Sequence, residues 1–114
     1  MGMNLYDTAR GKVVPFQPGP KVSMYVCGIT PYDATHLGHA FTYLTFDLVV
    51  RRLEDLGHEV RMVRNVTDVD DSILAKARDL DLDYQDLAAR GLTNLSSALL
   101  GLVSRGFVDP RYPC

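Results

Sequence analysis

Between Met24 and His39 the chain passes from a β-forming apolar run, through a short loop, straight into the opening of a helix. Met24-Tyr25-Val26 leads into Cys27-Gly28, and a loop follows that holds Ile29, Thr30, Pro31, Tyr32, Asp33 and Thr35. His36-Leu37-Gly38-His39 then begins an apolar-periodic segment. A strand that turns directly into a helix restricts the chain to α/β architecture. Such a turn offers unpaired backbone N–H groups and the positive end of a helix dipole to an anion. Gly38 allows a base or phosphate to approach the backbone, and two imidazoles three residues apart can both donate to phosphate oxygens. The segment therefore reads as a nucleotide site.

The rest of the pattern builds around that turn. Residues 1–20 read as an edge strand or extended lead-in that ends at the breaker Pro18-Gly19-Pro20. Lys21 to Cys27 alternates as a strand, with Val22, Met24 and Val26 on one side. Phe41, Leu44, Leu48, Val49, Leu53 and Leu56 recur at helical spacing, so a helix is predicted from about Leu37 to Leu56 with Gly57 as a left-handed cap. Glu59 to Val63 is the next strand, and strand–helix–strand implies a parallel, right-handed crossover. Ligands in such sheets bind at the carboxyl ends of the strands. Cys27-Gly28 and Asn65-Val66-Thr67-Asp68 both fall there, which predicts that two distant segments share one rim. Beyond it, Asp70-Asp71 and Asp83 are placed to cap two further helices, the second running from Tyr84 into the nineties. The expected organisation is a lead-in over 1–20, the first half of a Rossmann-like nucleotide-binding domain over 21–90, and a diverged or truncated tail over 91–114.

Composition excludes several classes. Of 114 residues, 46% are hydrophobic and 23% charged, so a core can form and disorder is not expected. The net charge of −2 supplies no basic face for nucleic acid. No apolar run approaches the ~20 residues of a membrane span, and no signal-like start is present, so a cytoplasmic protein without a membrane partner is expected. Two cysteines, Cys27 and Cys114, make no disulfide framework. Neither the glycine-rich dinucleotide fingerprint nor the P-loop lysine motif occurs.

His36-Leu37-Gly38-His39 following Met24-Tyr25-Val26-Cys27-Gly28-Ile29-Thr30 resembles the first ATP signature of class I aminoacyl-tRNA synthetases, and more narrowly their cysteine-activating branch. Val63-Arg64-Asn65-Val66-Thr67-Asp68-Val69-Asp70-Asp71 resembles a second segment of that branch, at the separation the branch has. The resemblance runs from about Leu5 to Arg90. It implies the N-terminal half of a class I catalytic domain: a parallel sheet with flanking helices that activates L-cysteine with ATP, with Mg2+, as cysteinyl-adenylate. His36 and His39 then take the catalytic phosphate role. Cys27, Gly28, Ile29, Thr30, Gly38, Thr42, Asn65, Val66 and Thr67 line the adenylate and cysteine pocket.

In the resembled branch the cysteine at Cys27 is a zinc ligand that helps to capture the substrate thiol. Soft thiolates suit zinc, and the metal favours a deprotonated thiol over a hydroxyl. A zinc shell needs about four donors, and the branch's other ligands come from a region absent here. Cys114, His58, Asp68 and Asp70 are the residues that could be considered to complete it. Asp68, Asp70 and Asp71 read instead as caps, since no calcium-loop glycine or closing glutamate follows.

Two acceptors fit the branch. Leu5-Tyr6-Asp7-Thr8, Arg64 and Ile73-Leu74-Ala75-Lys76-Ala77 lean toward the enzyme that charges tRNA(Cys), which is the expectation adopted. Thr30-Pro31-Tyr32-Asp33-Ala34-Thr35 and Thr42-Tyr43-Leu44-Thr45-Phe46-Asp47 lean toward the mycothiol-pathway ligase that joins cysteine to glucosaminyl-inositol. The branch's lysine-rich second ATP loop is absent, so the isolated chain is expected to be inactive, and a non-catalytic nucleotide-binding remnant is the rival from another class.

Overall fold

The computed structural model describes residues 2–31, 34–67 and 69–111. Strands β1 (Met3–Asp7) and β2 (Lys12–Phe16) form an antiparallel hairpin, in place of the single extended lead-in. Its turn is local chemistry: Gly11 adopts φ +63°, and the Asp7 carboxylate accepts from Arg10 N–H at 3.2 Å. Met3 and Phe16 pack against the sheet core.

Strands β3 (Lys21–Val26) and β4 (Glu59–Arg64) pair in parallel, with Val22 opposite Val60, Met24 opposite Met62 and Val26 opposite Arg64. Helix α1 (Leu37–Asp55) connects them and lays Val50 and Leu53 on Val22, Val26, Val60 and Met62. Its end is set as the sequence implies. Leu56 is the C-cap, Gly57 adopts φ +89°, and His58 N–H returns to Leu53 O at 3.1 Å. Glu59 N–H then reaches Pro20 O at 2.8 Å, which brings the two strand starts together. The α/β class with a parallel strand pair is thus the observed one. Cys27 lies just past β3 rather than in it, and β4 runs one residue further than the apolar pattern, through Arg64.

Helices α2 (Asp71–Asp79) and α3 (Tyr84–Ser104) follow. Asp70 caps the first through Ser72 N–H at 2.8 Å, and Asp83 caps the second through Gln85 N–H at 2.8 Å. Ile73, Ala77, Leu87 and Ala88 join the two helices. Helix α3 runs past the nineties to Ser104, and its Leu95 and Leu99 pack on Tyr43 of α1 together with Val108. Apolar spacing at Leu87, Leu95, Leu99 and Leu102 outweighs the helix-weakening Gly91 and Gly101.

The stretch after α3 is anchored by a charge that the sequence did not single out. Asp47, only 4% exposed, accepts from Arg51 Nε at 2.6 Å and from Asp109 N–H at 2.7 Å. Arg111 then pairs with Glu54 at 3.0 Å. Hydrophobic contact and this polar clamp together hold residues 106–111 against α1.

Candidate functional site

Parallel pairing puts the ends of β3 and β4 side by side, so Cys27-Gly28 leaves the sheet next to Asn65. The Asn65 side chain bonds this rim at both ends. Its Oδ1 accepts from Gly28 N–H at 2.6 Å, and its Nδ2 donates to Thr67 Oγ1 at 2.9 Å. Gly28 is required sterically, because a Cβ there would lie 1.7 Å from Asn65 O. The two segments that the sequence analysis expected to converge are therefore in direct contact at Gly28, Asn65 and Thr67. Ile29 continues from the rim to pack against the Tyr43, Leu95 and Leu99 cluster.

The histidine pair closes the amino end of α1. His36 is the N-cap, and its Nδ1 accepts from Gly38 N–H at 3.1 Å. His39 reaches back, and its Nδ1 accepts from His36 N–H at 3.4 Å. This is a capping box built from two imidazoles. The rings stack with centroids 3.9 Å apart. An Nδ1 that accepts a hydrogen bond carries no proton, so in each neutral ring Nε2 holds the N–H. Burial, and then the neighbouring His36 ring, hold the His39 pKa below the ordinary histidine value. The pair is thus arranged as two Nε2–H donors at the positive end of a five-turn helix. Gly38 keeps the arrangement open, since a Cβ there would sit 2.9 Å from the His36 ring.

The other expected residues are placed as follows. Thr42 donates its hydroxyl to Gly38 O at 3.1 Å, one turn back along α1. Thr30 is half-buried in the loop beyond Gly28. Val66 lines a separate cleft of about 320 Å³ with Pro31, Val69, Tyr84, Ala88 and Leu92, and neither histidine nor Cys27 borders it. Cys27 is exposed, with its Sγ 3.6 Å from Gly28 O. Among the described residues no cluster of three or more His, Cys, Asp or Glu side chains could hold a metal. His58 bonds Gly19 O at 2.9 Å, at the end of the sheet opposite Cys27, and Asp70 is committed to its cap. Tyr32, Asp33, Asp68 and Cys114 lie outside the described residues.

Two supports escaped sequence reasoning. Arg64 stacks its guanidinium 4.1 Å from the Tyr43 ring, tying the end of β4 to α1 one turn beyond His39. Gly91 lets α3 approach the loop, because a Cβ there would lie 1.6 Å from Pro31 O. The signal was an isolated glycine inside an apolar-periodic helix, which marks close packing as often as a break.

Comparison with known proteins agrees with this geometry. The family model for the tRNA synthetases class I (C) catalytic domain matches residues 13–111. Curated relatives with the name L-cysteine:1D-myo-inositol 2-amino-2-deoxy-alpha-D-glucopyranoside ligase are similar over 88 residues, or 77% of this chain. Those from Parafrankia sp. and Mycobacterium ulcerans are 61% identical, and that from Streptosporangium roseum is 59% identical. The matched stretch makes up 20–22% of these relatives, so the chain spans about a fifth of their length. Parallel strands, a rim joined through Gly28 and Asn65, and a two-histidine helix cap thus occur in a chain that belongs to the class I (C) tRNA-synthetase catalytic-domain family.

Proposed function

We propose that this chain is the nucleotide- and cysteine-binding portion of an ATP-dependent cysteine ligase whose acceptor is an amino sugar linked to inositol. The observation that carries the acceptor is the 59–61% identity to relatives named for that reaction. It favours the sugar over tRNA(Cys), the acceptor adopted from sequence. The net charge of −2 offers no electrostatic support for tRNA either.

In this reading the cysteine carboxylate attacks the α-phosphorus of ATP, the bond to the β-phosphate oxygen breaks, and pyrophosphate leaves. The acceptor amine then attacks the cysteinyl carbonyl, forming an amide and releasing AMP. The Nε2–H groups on His36 and His39 donate to phosphate oxygens as negative charge builds there, while their Nδ1 atoms stay bound in the cap and hold the rings in place. Gly28 and Gly38 admit the nucleotide close to the backbone. Asn65 and Thr67 form the wall of the amino-acid side. Mg2+ accompanies ATP. Zinc, when bound, would select a thiol over a hydroxyl. Cys27 fits it as one exposed soft donor at the rim, and the remaining donors would have to come from outside the described residues, among which no cluster of three or more candidate ligands occurs.

A chimera tests the assignment. The matched residues of the Mycobacterium ulcerans relative are replaced by the corresponding residues of this chain, and cysteine-dependent pyrophosphate exchange and ligation are measured. The expected result is amide formation with the amino-sugar inositol acceptor and no charging of tRNA(Cys). Exchange without sugar ligation, or efficient tRNA charging, would refute the acceptor. Unchanged exchange after His39→Ala would refute the phosphate role of the pair.

A further inference from the structure

We propose that Arg64 is a positioning residue for cysteine activation: stacked on Tyr43, it holds the histidine end of α1 in register with the wall formed by Asn65 and Thr67. The inference rests on the phosphate role proposed for His36 and His39 and not on the choice of acceptor.

Alternation along β4 puts Val60, Met62 and Arg64 on one side of the strand. Val60 and Met62 are buried there in the cluster that holds Val50 and Leu53 of α1. A third apolar residue would complete that face, whereas a guanidinium gives up part of its hydration to lie on it. Arg64 is half-buried all the same. Its Cζ lies 4.1 Å from the centre of the Tyr43 ring and 5.7 Å from that of Phe46, and its Nη2 lies 4.0 Å from the Met62 sulfur. The planar cation matches the ring face in a way that an ammonium does not.

Activation needs two groups of residues aligned, and they ride on different elements. His36 and His39 open α1. Asn65 and Thr67 follow β4, and the Asn65 bond to Gly28 joins them to the end of β3, not to the helix. The buried contacts of α1 with the sheet, at Val50 and Leu53, begin about three turns beyond His39, or roughly 16 Å along the axis. A helix pivoting there by about 4° moves His39 by roughly 1 Å, a displacement that can cost about 10²-fold in rate. The Tyr43 stack shortens that lever. Tyr43 lies one turn from His39, is 2% exposed, and is backed by Leu95, Leu99 and Val108. Ile29 brings the β3 side of the rim to the same cluster, and Arg64, next to Asn65 in the chain, brings the β4 side.

Hydrogen exchange on this chain tests the register without any reaction. Arg64→Ala is expected to speed exchange of the 40–43 amides at least roughly fivefold more than that of the Val50 and Leu53 amides. Equal acceleration at both places would make Arg64 a general stabiliser and overturn the proposal. In the chimera, kcat for cysteine-dependent pyrophosphate exchange should fall at least about tenfold, with KM for ATP and for cysteine within about threefold of the unsubstituted chimera. Arg64→Lys keeps the charge and loses the planar face, so its kcat should fall with that of Arg64→Ala. Tyr43→Leu should give the same loss, and adding Arg64→Ala to it no further loss. A raised KM with kcat intact, full exchange in Arg64→Lys, or additive losses in the double variant would each overturn the proposal. His39→Ala separates the two readings. Exchange that survives it removes the phosphate role and this proposal with it, whereas exchange lost in His39→Ala and unchanged in Arg64→Ala removes the positioning role alone. Pyrophosphate exchange precedes attack by the acceptor, so a wrong acceptor would leave these results unchanged.

Discussion

Three glycines in this chain give a graded test of the packing argument, because one substitution has opposite expected signs at sites of different geometry. At Gly28 an added Cβ would lie 1.7 Å from Asn65 O, and at Gly91 it would lie 1.6 Å from Pro31 O. Both obstacles are backbone, so the segments must separate. Overpacking of this kind costs about 1–3 kcal/mol. Opening the Gly28 contact also stretches the 2.6 Å bond to Asn65, worth roughly 0.5–1.5 kcal/mol net. Gly28→Ala is therefore expected to destabilise by about 2–4 kcal/mol, and Gly91→Ala by about 1–3 kcal/mol. Gly101, in the same helix as Gly91, has nothing within 4 Å of its Cβ position. There the helix gains from a residue with less backbone freedom to lose, and Gly101→Ala should stabilise by about 0.5–1 kcal/mol. Urea unfolding followed by circular dichroism gives all three midpoints. A Gly28→Ala variant as stable as wild type would refute the close rim, and equal effects at Gly91 and Gly101 would mean that α3 does not press on the Pro31 loop.

Asp47→Ala removes the acceptor from the half-buried Asp109 N–H and should cost about 1–3 kcal/mol; it should also open residues 106–111 to limited proteolysis after Arg105, and a wild-type cleavage rate would contradict the clamp. The depressed His39 pKa makes stability depend on pH in one direction. The unfolded chain takes up its proton first, near pH 6.5. Stability is full above that value and falls as pH drops toward the lower folded pKa, so a wild-type slope between pH 7 and 5 that persists in His39→Gln would exclude this source. The Asp109 carboxyl is held low, first by hydrogen bonds from Arg111, so its contribution is present above the ordinary aspartate range and is lost on acidification through the folded value. For the metal, elemental analysis of the chimera should find one zinc per chain, lost on Cys27→Ser; zinc retained at full occupancy in that variant would remove Cys27 from the shell.

The parallel pair, α1 with its Gly57 stop, and the aspartate caps at Asp70 and Asp83 were legible because each depends on local signals. Apolar period, a left-handed glycine and a carboxylate ahead of a helix act within a few residues of one another. The rim was legible by the next step of inference, since parallel strands that start together must end together. What the sequence hid depends on separation. Asp47 meets Asp109 sixty-two positions away, and its role shows only when α3 has brought that residue back to α1. Gly91 carried no signal of its own at the start of the 91–114 tail, because its value lies in what it allows Pro31 to approach. The hairpin at 3–16 was masked for a related reason: Pro15 faces Asn4 within the ladder, and a proline in a short run reads as extended chain unless its partner is known.

The histidine pair shows why a structural and a catalytic reading of one motif need not compete. Each imidazole has two nitrogens, and the cap uses only Nδ1. Tying that atom to a backbone N–H fixes the tautomer, aims the ring, and leaves Nε2–H for another acceptor. Protonation of the His39 Nδ1 would break its bond to the His36 N–H and set a charge beside a ring 3.9 Å away, so the fold favours the neutral form of His39. A second consequence follows for substitution. Asparagine at position 36 could cap α1 as well as histidine does, yet it would not supply the Nε2–H at the imidazole's reach. His36→Asn should therefore keep the melting temperature near wild type while lowering cysteine-dependent pyrophosphate exchange in the chimera at least tenfold, and equal loss of both would mean that the motif is a cap and nothing more.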